Sequence, residues 1–233
     1  MQVKIWSDVR CPFCYIGKKK FESALEKFPH KDKVEVIWKS FQLDPALKTD
    51  PNQTTLDYFV KTKGVSKEQA RQMFAGATQM ARAEGIEFNL ERSVPANSFK
   101  AHRLIQFAKS KGLGNEIEEA LFKAHFEEAM NIDDIKVLAN VASSIGLNAE
   151  EFENIFVTND FVNEVKQDEL EARKIGVRGV PFFVFEDKYA VSGAQPSEIF
   201  LQHLEKSWEE FQKKNSGLEI SEGDSCSPDG TCN

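Results

Sequence analysis

The feature that most constrains this chain is a pair of cysteines, Cys11 and Cys14, separated by two residues. The pair follows a short apolar strand pattern over residues 3–6 and directly precedes a helical pattern. Pro12 suits the first turn of that helix, because a residue there needs no amide donor. The pattern therefore predicts a dithiol at the junction between a strand and a helix.

The spacing of this pair favours redox chemistry. In a first helical turn, positions i and i+3 share a face, so the two sulfurs can form a disulfide. Cys11 would lie nearest the free amide groups at the helix N-terminus, where the thiolate is stabilised. We expect Cys11 to be the nucleophile and Cys14 the resolving thiol. Half of a zinc site and two ordinary buried cysteines remain as other interpretations.

The hydrophobic pattern predicts a β-α-β unit, then helices only, then an α-β-β-α unit. The expected fold is α/β, with a large all-helical insertion between the two halves. We assign residues 1–44 and 160–214 to one discontinuous domain, and residues 45–159 to an inserted helical subdomain. Apolar stripes predict five helices in the insertion, and we interpret these stripes as packing surfaces.

Pro181 stands at the start of an apolar strand pattern that continues through Phe185. Proline is unusual there, because it removes one donor of the strand ladder. A cis Val180–Pro181 bond beside the dithiol would leave the preceding backbone free to pair with a substrate, and only X-Pro bonds adopt cis at low cost. The alternative is a proline that only punctuates a loop.

Composition narrows the classes of partner and compartment. The chain has 233 residues and a net charge of −7, without a basic stripe, which argues against nucleic acid and anionic membranes. Met1 leads directly into a strand, without the pattern of a signal peptide, and no apolar run is long enough to span a bilayer. We therefore expect a cytoplasmic protein, where close cysteine pairs serve redox or metal chemistry.

A second cysteine pair, Cys226 and Cys232, lies in the polar tail formed by residues 215–233. The intervening Pro-Asp-Gly is typical of a turn, so the chain can reverse between the two sulfurs. We expect this tail to be flexible. The pair is a candidate second redox unit that closes as a local disulfide or exchanges with the first pair. A metal clip and a pair without catalytic role are the alternatives.

Four motifs in this order resemble the DsbA-type thioredoxin-like family, and within it the cytosolic FrnE-like subgroup. They are Ser-Asp-x-x-Cys-Pro-x-Cys-Tyr-Ile-Gly at 7–17, the segment 97–104 with Ala-His-Arg-Leu, Gly-Val-Arg-Gly-Val-Pro-Phe-Phe at 176–183, and Ser-Gly-Ala-Gln-Pro at 192–196. The resemblance implies a thioredoxin-like fold with a helical insertion, a disulfide-exchanging dithiol and a substrate-contacting cis-proline, here Pro181. An additional C-terminal cysteine pair is also a feature of the FrnE-like subgroup.

Two positions depart from the family pattern. Phe13 stands where periplasmic DsbA-type enzymes carry histidine, so we expect a weaker thiolate stabilisation and a milder oxidant. Ile5 stands where thioredoxin relatives often have an acidic residue. Proton transfer at Cys14 would then rely on water, on Asp8 or on Lys39.

Further residues are candidates for substrate contact. Pro12, Phe13 and Val180 flank the predicted dithiol and proline. Asn97, His102 and Arg103 belong to the second motif, although a histidine in a helix is more often structural than catalytic. The run Lys18-Lys19-Lys20 is interpreted as a solvated helix face, with a basic rim for an acidic thiol as the alternative.

The leading hypothesis is a cytosolic thiol–disulfide oxidoreductase that uses no cofactor, with glutathione as a candidate co-substrate. Its partners would be thiol or disulfide proteins or glutathione, and the protein would be a monomer or homodimer. One alternative is a glutathione-dependent kappa-type transferase or an enzyme like 2-hydroxychromene-2-carboxylate isomerase; retention of both cysteines argues against it. Another is a non-catalytic redox sensor or zinc-binding chaperone.

Overall fold

Four strands form one mixed sheet in the computed structural model, which describes residues 1–215. The strands are β1 (Gln2–Ser7), β2 (Glu35–Ser40), β3 (Phe182–Phe185) and β4 (Tyr189–Ser192), and their order in the sheet is β2-β1-β3-β4. β1 pairs parallel with β2, and the other two pairings are antiparallel. Cys226, Cys232 and the predicted flexible tail beyond residue 215 lie outside the described residues.

One face of the sheet packs against two helices, α1 (Pro12–Lys27) and α9 (Ser197–Asn215). Alternate residues of a strand point to opposite faces, so Val3 and Ile5 of β1 lie on this face together. Their partners in β3 are Phe185 and Phe183. The helices contribute Phe21, Ala24, Phe200, Leu204 and Trp208 to the same core.

The opposite face of the sheet packs against α8 (Val162–Lys174). Trp6 of β1 and Val184 of β3 form a small core there with Ala172 of the helix. The Trp6 indole donates a hydrogen bond to the Asp168 carbonyl at 2.9 Å. The sheet is therefore covered on both faces, as its apolar strands require.

The segment between β2 and α8 is helical, as predicted. It contains α2 to α7 and a π-helical turn, and within residues 1–215 no helix is long and apolar enough to cross a membrane. The prediction did not include α2, although Leu56, Phe59 and Val60 stand at helical spacing in it. In chain order, α2 to α7 span Thr55–Lys63, Lys67–Ala83, Phe99–Ser110, Gly114–Phe122, Ile135–Ser144 and Ala149–Thr158. The π-helical turn spans Lys123–Glu127, directly after α5.

Side-chain caps explain where several of these helices begin. Ser66 and Gln69 form a capping box at the start of α3, and Asn148 caps α7. α6 begins after Asp134, whose side chain accepts a capping hydrogen bond from the Lys136 amide. Asn97 precedes α4 and accepts a hydrogen bond from the Phe99 amide at 2.9 Å. Local hydrogen bonds thus define most of the helix starts.

The N-terminal half of α1 lies in the core of the helical insertion. Cys14, Tyr15 and Ile16 pack in the same cluster as Leu104 of α4 and Phe122 of α5. The Tyr15 ring stacks on Phe122 with centroids 5.0 Å apart. The cysteine motif therefore lies at the boundary between the sheet and the insertion.

The interpretation of the lysine run as a solvated face was wrong for Lys18, which is 1% exposed. Its ammonium group lies 2.5 Å from Glu22 and 2.7 Å from Glu119. Lys19 also contacts Glu119, at 2.5 Å. Because α5 of the insertion covers this side of α1, Lys18 and Lys19 pair with Glu119 across the boundary, and of the two only Lys19 stays partly exposed.

Candidate active site

The strand-to-helix junction places Cys11 just before the first turn of α1. Cys11 is the N-cap residue, with an extended backbone, and Pro12 is the first helical residue. The Cys11 amide donates to the Asp8 carbonyl at 2.9 Å, and the Cys14 amide donates to the Cys11 carbonyl at 3.0 Å. This tight turn holds Cys11 at the positive end of the helix and Cys14 one turn inside it.

The loop before β3 lies directly against Cys11. The Val180–Pro181 peptide bond is cis, and the Val180 carbonyl oxygen lies 3.6 Å from the Cys11 sulfur. The Pro181 carbonyl accepts a hydrogen bond from the Gly193 amide at 2.8 Å, which fixes the loop to the end of β4. The structure thus brings together Cys11, Cys14, Val180 and Pro181, the residues that the sequence singled out.

The two cysteines are free thiols, and both are largely buried, Cys14 slightly more than Cys11. Cys11 is 5% exposed and Cys14 is 1% exposed. Burial and the neighbouring Cys11 sulfur raise the pKa of Cys14 well above its usual value, although the Asp8 amide and the Ser7 hydroxyl oppose this rise. Cys14 therefore keeps its proton at neutral pH while the dithiol is reduced.

A buried acid–base pair lies behind the cysteine turn. Asp8 accepts hydrogen bonds from the backbone amides of Leu43 at 2.8 Å and Arg10 at 3.2 Å. Its Oδ1 lies 3.5 Å from Nε2 of His102, and both side chains are fully buried. The structure thus gives His102 a position next to the turn, which its sequence context left open.

Each member of this pair favours the charged form of the other. Burial alone would raise the pKa of Asp8, but His102, the Leu43 amide and the Arg10 charge lower it below the usual value. Burial alone would lower the pKa of His102, but the Asp8 carboxylate raises it above the usual value. The two side chains therefore stabilise each other's charged forms in a place where burial alone would favour the neutral forms.

Glu118 of α5 belongs to the same buried region and was not predicted. Burial raises its pKa to about 7, against the influence of His102, Lys18 and Lys109. Its Oε2 atom is buried without a hydrogen-bond partner among the described residues. A sequence signal was absent, because Glu118 lies in an ordinary acidic helix and only tertiary packing removes it from water.

The two side chains considered for proton transfer differ in what surrounds them. Asp8 follows β1 directly and reaches Cys14 through its backbone amide. Lys39 of β2 instead contacts Asp168 at 2.8 Å and Glu171 at 2.9 Å. Ile5 is buried in the sheet core, as an apolar residue at that position should be.

Asn97 and Arg103 stabilise the insertion. Asn97 donates to the Leu47 carbonyl at 2.9 Å and so ties the chain before α2 to the start of α4. Arg103 donates to the Asp160 carbonyl at 2.9 Å and to the Ile155 carbonyl. These contacts give both residues a packing role at the joints between helices.

Phe13 is the exposed residue of the cysteine motif. Its side chain is 42% exposed, whereas Tyr15 and Ile16 are buried in the insertion core. Phe13 therefore presents a large apolar side chain to solvent beside the two cysteines. Pro12 precedes it in the first turn of α1.

Comparison with known proteins places this arrangement in a family. A model described as the DSBA-like thioredoxin domain matches residues 2–205. The uncharacterized protein YwbO of Bacillus subtilis is 30% identical over 219 residues, which cover 92% of this chain and 98% of that protein. The match thus includes the sheet, the insertion and both halves of the candidate site.

Solved structures share the fold. The probable DsbA oxidoreductase SCO1869 from Streptomyces coelicolor is 37% identical, with a TM-score of 0.84 over 100% of this chain and 98% of that one. A 2-hydroxychromene-2-carboxylate isomerase is 17% identical, with a TM-score of 0.64 over 94% of this chain and 100% of that one. At that identity the second likeness concerns the fold alone. The chain, with its thioredoxin-like sheet and helical insertion, belongs to the DSBA-like thioredoxin domain family.

Proposed function

We propose that this protein is a thiol–disulfide oxidoreductase of the FrnE-like branch that works in the cytoplasm. The observation that carries the proposal is the position of Cys11, at the N-terminus of α1 and 3.6 Å from the Val180 carbonyl, with Cys14 buried one turn behind. The likeness to SCO1869, described as a probable DsbA oxidoreductase, supports it. Glutathione or a thiol-containing protein is the proposed partner, and no cofactor is required.

The proposed cycle uses the different positions of the two cysteines, Cys11 at the start of α1 beside the Val180 carbonyl and Cys14 one turn inside the helix. The Cys11 thiolate attacks one sulfur of a substrate disulfide, and the other sulfur leaves as a thiolate. Cys14 then loses its proton and attacks the Cys11 sulfur, which releases the second substrate thiol and leaves a Cys11–Cys14 disulfide. The Ser7 hydroxyl and the Asp8 amide favour the Cys14 thiolate during this second step.

The environment of the dithiol supports a mild oxidant. Phe13 occupies the position of the histidine found in periplasmic relatives, so one positive charge beside the Cys11 thiolate is missing. A less stabilised thiolate makes the reduced form less favourable and lowers the reduction potential. We therefore propose that disulfide reduction or isomerisation is the direction in which the protein works.

Disulfide-exchange kinetics with oxidised glutathione test the proposal. Cys11→Ser should abolish turnover, because no other described thiol lies at a helix N-terminus beside Pro181. Cys14→Ser should still attack the substrate and should accumulate a mixed disulfide with glutathione, visible by mass spectrometry. Cys226→Ser serves as control for the first chemical step and should leave it unchanged. Substantial turnover by Cys11→Ser would refute the mechanism.

The isomerase alternative remains because the fold alone is compatible with it. An isomerase does not need two thiols, so its activity should survive Cys14→Ser. Isomerisation of 2-hydroxychromene-2-carboxylate, or conjugation of glutathione, by this variant would favour the alternative. Stoichiometric zinc in the purified protein together with absent disulfide exchange would favour a zinc-binding chaperone.

A further inference from the structure

An apolar cavity of about 240 Å³ lies beside the cysteine turn. One wall is formed by Arg10, Pro12 and Phe13, the residues on either side of Cys11. The remaining walls come from the insertion: from α2 and α3, from the chain before α4, and from the π-helical turn. They consist of Thr55, Tyr58, Phe59, Met73, Phe74, Ala77, Leu90, Ser93, Pro95, His125 and Phe126.

The walls of this cavity are suited to an apolar ligand. Four phenylalanine rings and a tyrosine line it, and two of its apolar side chains are left in solvent, Phe13 at 42% and Met73 at 51% exposed. Ligand sites typically combine such apolar walls with a small number of polar groups. The volume is close to the lower end for small-molecule sites, about 300 Å³, and suits a compound with a single ring.

Arg10 gives the cavity a positive charge. Among the described lining residues no carboxylate is present, and burial lowers the pKa of His125 to about 4, so that His125 is neutral at pH 7. The Arg10 guanidinium is then the one charged group in the described wall. An anionic group on a ligand would be attracted to Arg10, and none of the described lining residues carries a carboxylate that would oppose it.

The Arg10 side chain also lacks a partner for part of its hydrogen-bonding capacity. Its Nη1 atom is buried without a hydrogen-bond partner, and Arg10 forms no ion pair within the described part of the chain. The nearby Asp8 carboxylate is occupied by the Leu43 and Arg10 amides and by His102. A buried guanidinium donor without an acceptor is costly, and a ligand carboxylate would satisfy it with a charge-assisted hydrogen bond.

We propose that this cavity binds the substrate of the dithiol, a low-molecular-weight disulfide with an aromatic body and a carboxylate. The proposal rests on the proposed function, because it places the ring in the cavity, the carboxylate at Arg10 and the disulfide at Cys11. This proposed substrate differs from glutathione, which is anionic but has no large apolar group. The protein would therefore discriminate by ring and charge together.

The redox step for such a substrate balances without a further reactant. The Cys11 thiolate forms a bond with one aryl sulfur as the aryl disulfide bond breaks, and one aryl thiolate leaves. Cys14 releases its proton to solvent and attacks Cys11, so the mixed disulfide breaks and the second aryl thiolate leaves. The dithiol loses two electrons, and the disulfide substrate gains them as two thiolates.

Single-turnover kinetics with three disulfides separate the contributions of ring and charge. Dithiobis(nitrobenzoate) carries both features, dithiodipyridine is aromatic without a carboxylate, and oxidised glutathione is anionic without a ring. The reduced protein is used with Cys226→Ser and Cys232→Ser, so that only the first pair reacts. Each rate constant is divided by the rate constant of dithiothreitol with the same disulfide, which corrects for the intrinsic reactivity of that disulfide. The order expected is dithiobis(nitrobenzoate), then dithiodipyridine, then oxidised glutathione.

Arg10→Gln tests the charge. It should slow the reaction of dithiobis(nitrobenzoate) about tenfold, because it removes one hydrogen bond to a charged group and a loss of that size corresponds to about a factor of ten. The reaction of dithiodipyridine should change by less than about threefold, and Arg10→Lys should recover part of the loss. Arg82→Gln, on the exposed surface of α3, is the matched control and should leave all three rates unchanged.

Met73→Gln tests the apolar wall without endangering the fold, because this side chain is half exposed. It should slow both aromatic disulfides and leave oxidised glutathione unchanged. Met80→Gln, on the same helix and outside the cavity wall, is the matched control. With the unmodified protein, added nitrobenzoate should compete with dithiobis(nitrobenzoate), whereas uncharged nitroaniline should compete less.

Two results would overturn this inference. Equal slowing of both aromatic disulfides by Arg10→Gln would mean that Arg10 acts on the Cys11 thiolate and not on a carboxylate. Oxidised glutathione as the fastest normalised substrate would mean that the cavity does not select a ring. In either case the proposed oxidoreductase function would stand as long as dithiodipyridine still oxidises Cys11 and Cys14. Loss of the reaction with all three disulfides would refute the oxidoreductase function itself.

Discussion

Gly17 lies on the face of α1 that contacts Pro181. A methyl group built on Gly17 would lie 2.9 Å from Cγ of Pro181 and 3.6 Å from both Cα and Cβ of Ala194. Neither the proline ring nor the backbone at residue 194 is the end of a flexible side chain. Gly17 therefore sets how closely the proline loop approaches the cysteine helix.

The substitution Gly17→Ala should destabilise the protein. In a helix interior, alanine is more favourable than glycine by about 1 kcal/mol. Overpacking against Pro181 costs about 1–3 kcal/mol, so a net loss of stability is expected. Displacement of Pro181 should also slow disulfide exchange at Cys11. Thermal unfolding and exchange kinetics measure the two effects.

Gly76 of α3 provides the matched control, because nothing lies within 4 Å of a methyl group built there. Gly76→Ala should stabilise the protein by about 0.5–1 kcal/mol through helix propensity alone. If Gly17→Ala were equally stabilising and left exchange unchanged, close packing against Pro181 would have no role in the site.

At the scale of residues, the sequence predicts what depends on local spacing. Cys11, Cys14 and Pro181 stand in patterns that determine a turn or a strand start, and the structure places them together. The pairing of Asp8 with His102 could not be predicted, because the two residues meet only when α4 packs behind the turn. Lys18 was misinterpreted for the same reason, since helix periodicity does not reveal which face a distant helix covers.

At the scale of elements, α8 is joined to the sheet and to α4 by one carboxylate. Asp168 accepts hydrogen bonds from the Ser40 amide at 2.9 Å, the Gln106 amide group at 2.6 Å and Lys39 at 2.8 Å. Its side chain is buried, and its backbone carbonyl accepts the Trp6 indole. The helix is therefore held by a polar network as well as by the small apolar core beneath it.

Asp168→Ala should be among the more destabilising substitutions in this chain. It would leave the Lys39 charge, the Ser40 amide and the Gln106 amide without their shared acceptor, a loss of about 3–5 kcal/mol for a broken buried pair. For a chain of this size the melting temperature should fall by roughly 10 °C. Gln167→Ala, exposed on the same helix, should stay within about 0.5 kcal/mol of the unmodified protein. If Asp168→Ala changed the stability as little as Gln167→Ala does, the network would contribute little to the stability of the protein.

The elements themselves were predicted to different degrees. Apolar stripes predicted the other five helices of the insertion, α3 to α7, because helical periodicity is a local signal. α2 was missed although Leu56, Phe59 and Val60 stand at helical spacing and Thr54 is a capping residue, so a local signal was present in the sequence. The sequence predicted a β-α-β half and an α-β-β-α half, but not how their strands pair. In the structure β1 lies between β2 and β3 and so joins the two halves in one sheet.

At the scale of the whole molecule, the insertion encloses one side of the cysteine helix with ionisable groups. Tyr15 lies 3.0 Å from Glu119 and 2.8 Å from Glu127, and Lys18 joins Glu119 to α1. Glu118 lies beside these contacts but is buried without its own partner for Oε2. The stability of the assembly of sheet and insertion should therefore depend on pH through Glu118.

The free energy of unfolding should decrease through Glu118 as the pH rises from about 4.5 to about 7. The folded pKa is about 7 and the ordinary value is 4.5, so in this range the folded protein holds a proton that the unfolded chain has lost. The stabilisation is complete below pH 4.5 and is lost above the folded pKa. A shift of this size corresponds to roughly 3 kcal/mol.

Denaturant unfolding of the unmodified protein and Glu118→Gln across this pH range measures the effect. The difference in stability between them should fall as the pH rises, because glutamine cannot ionise. His125 contributes the opposite slope below pH 6.5, since burial lowers its pKa to about 4, but it does so in both proteins and cancels in the difference. Glu116→Gln, exposed on α5, should show a constant difference. A constant difference for Glu118→Gln as well would mean that Glu118 is ionised in the folded protein, with His102, Lys18 and Lys109 outweighing its burial.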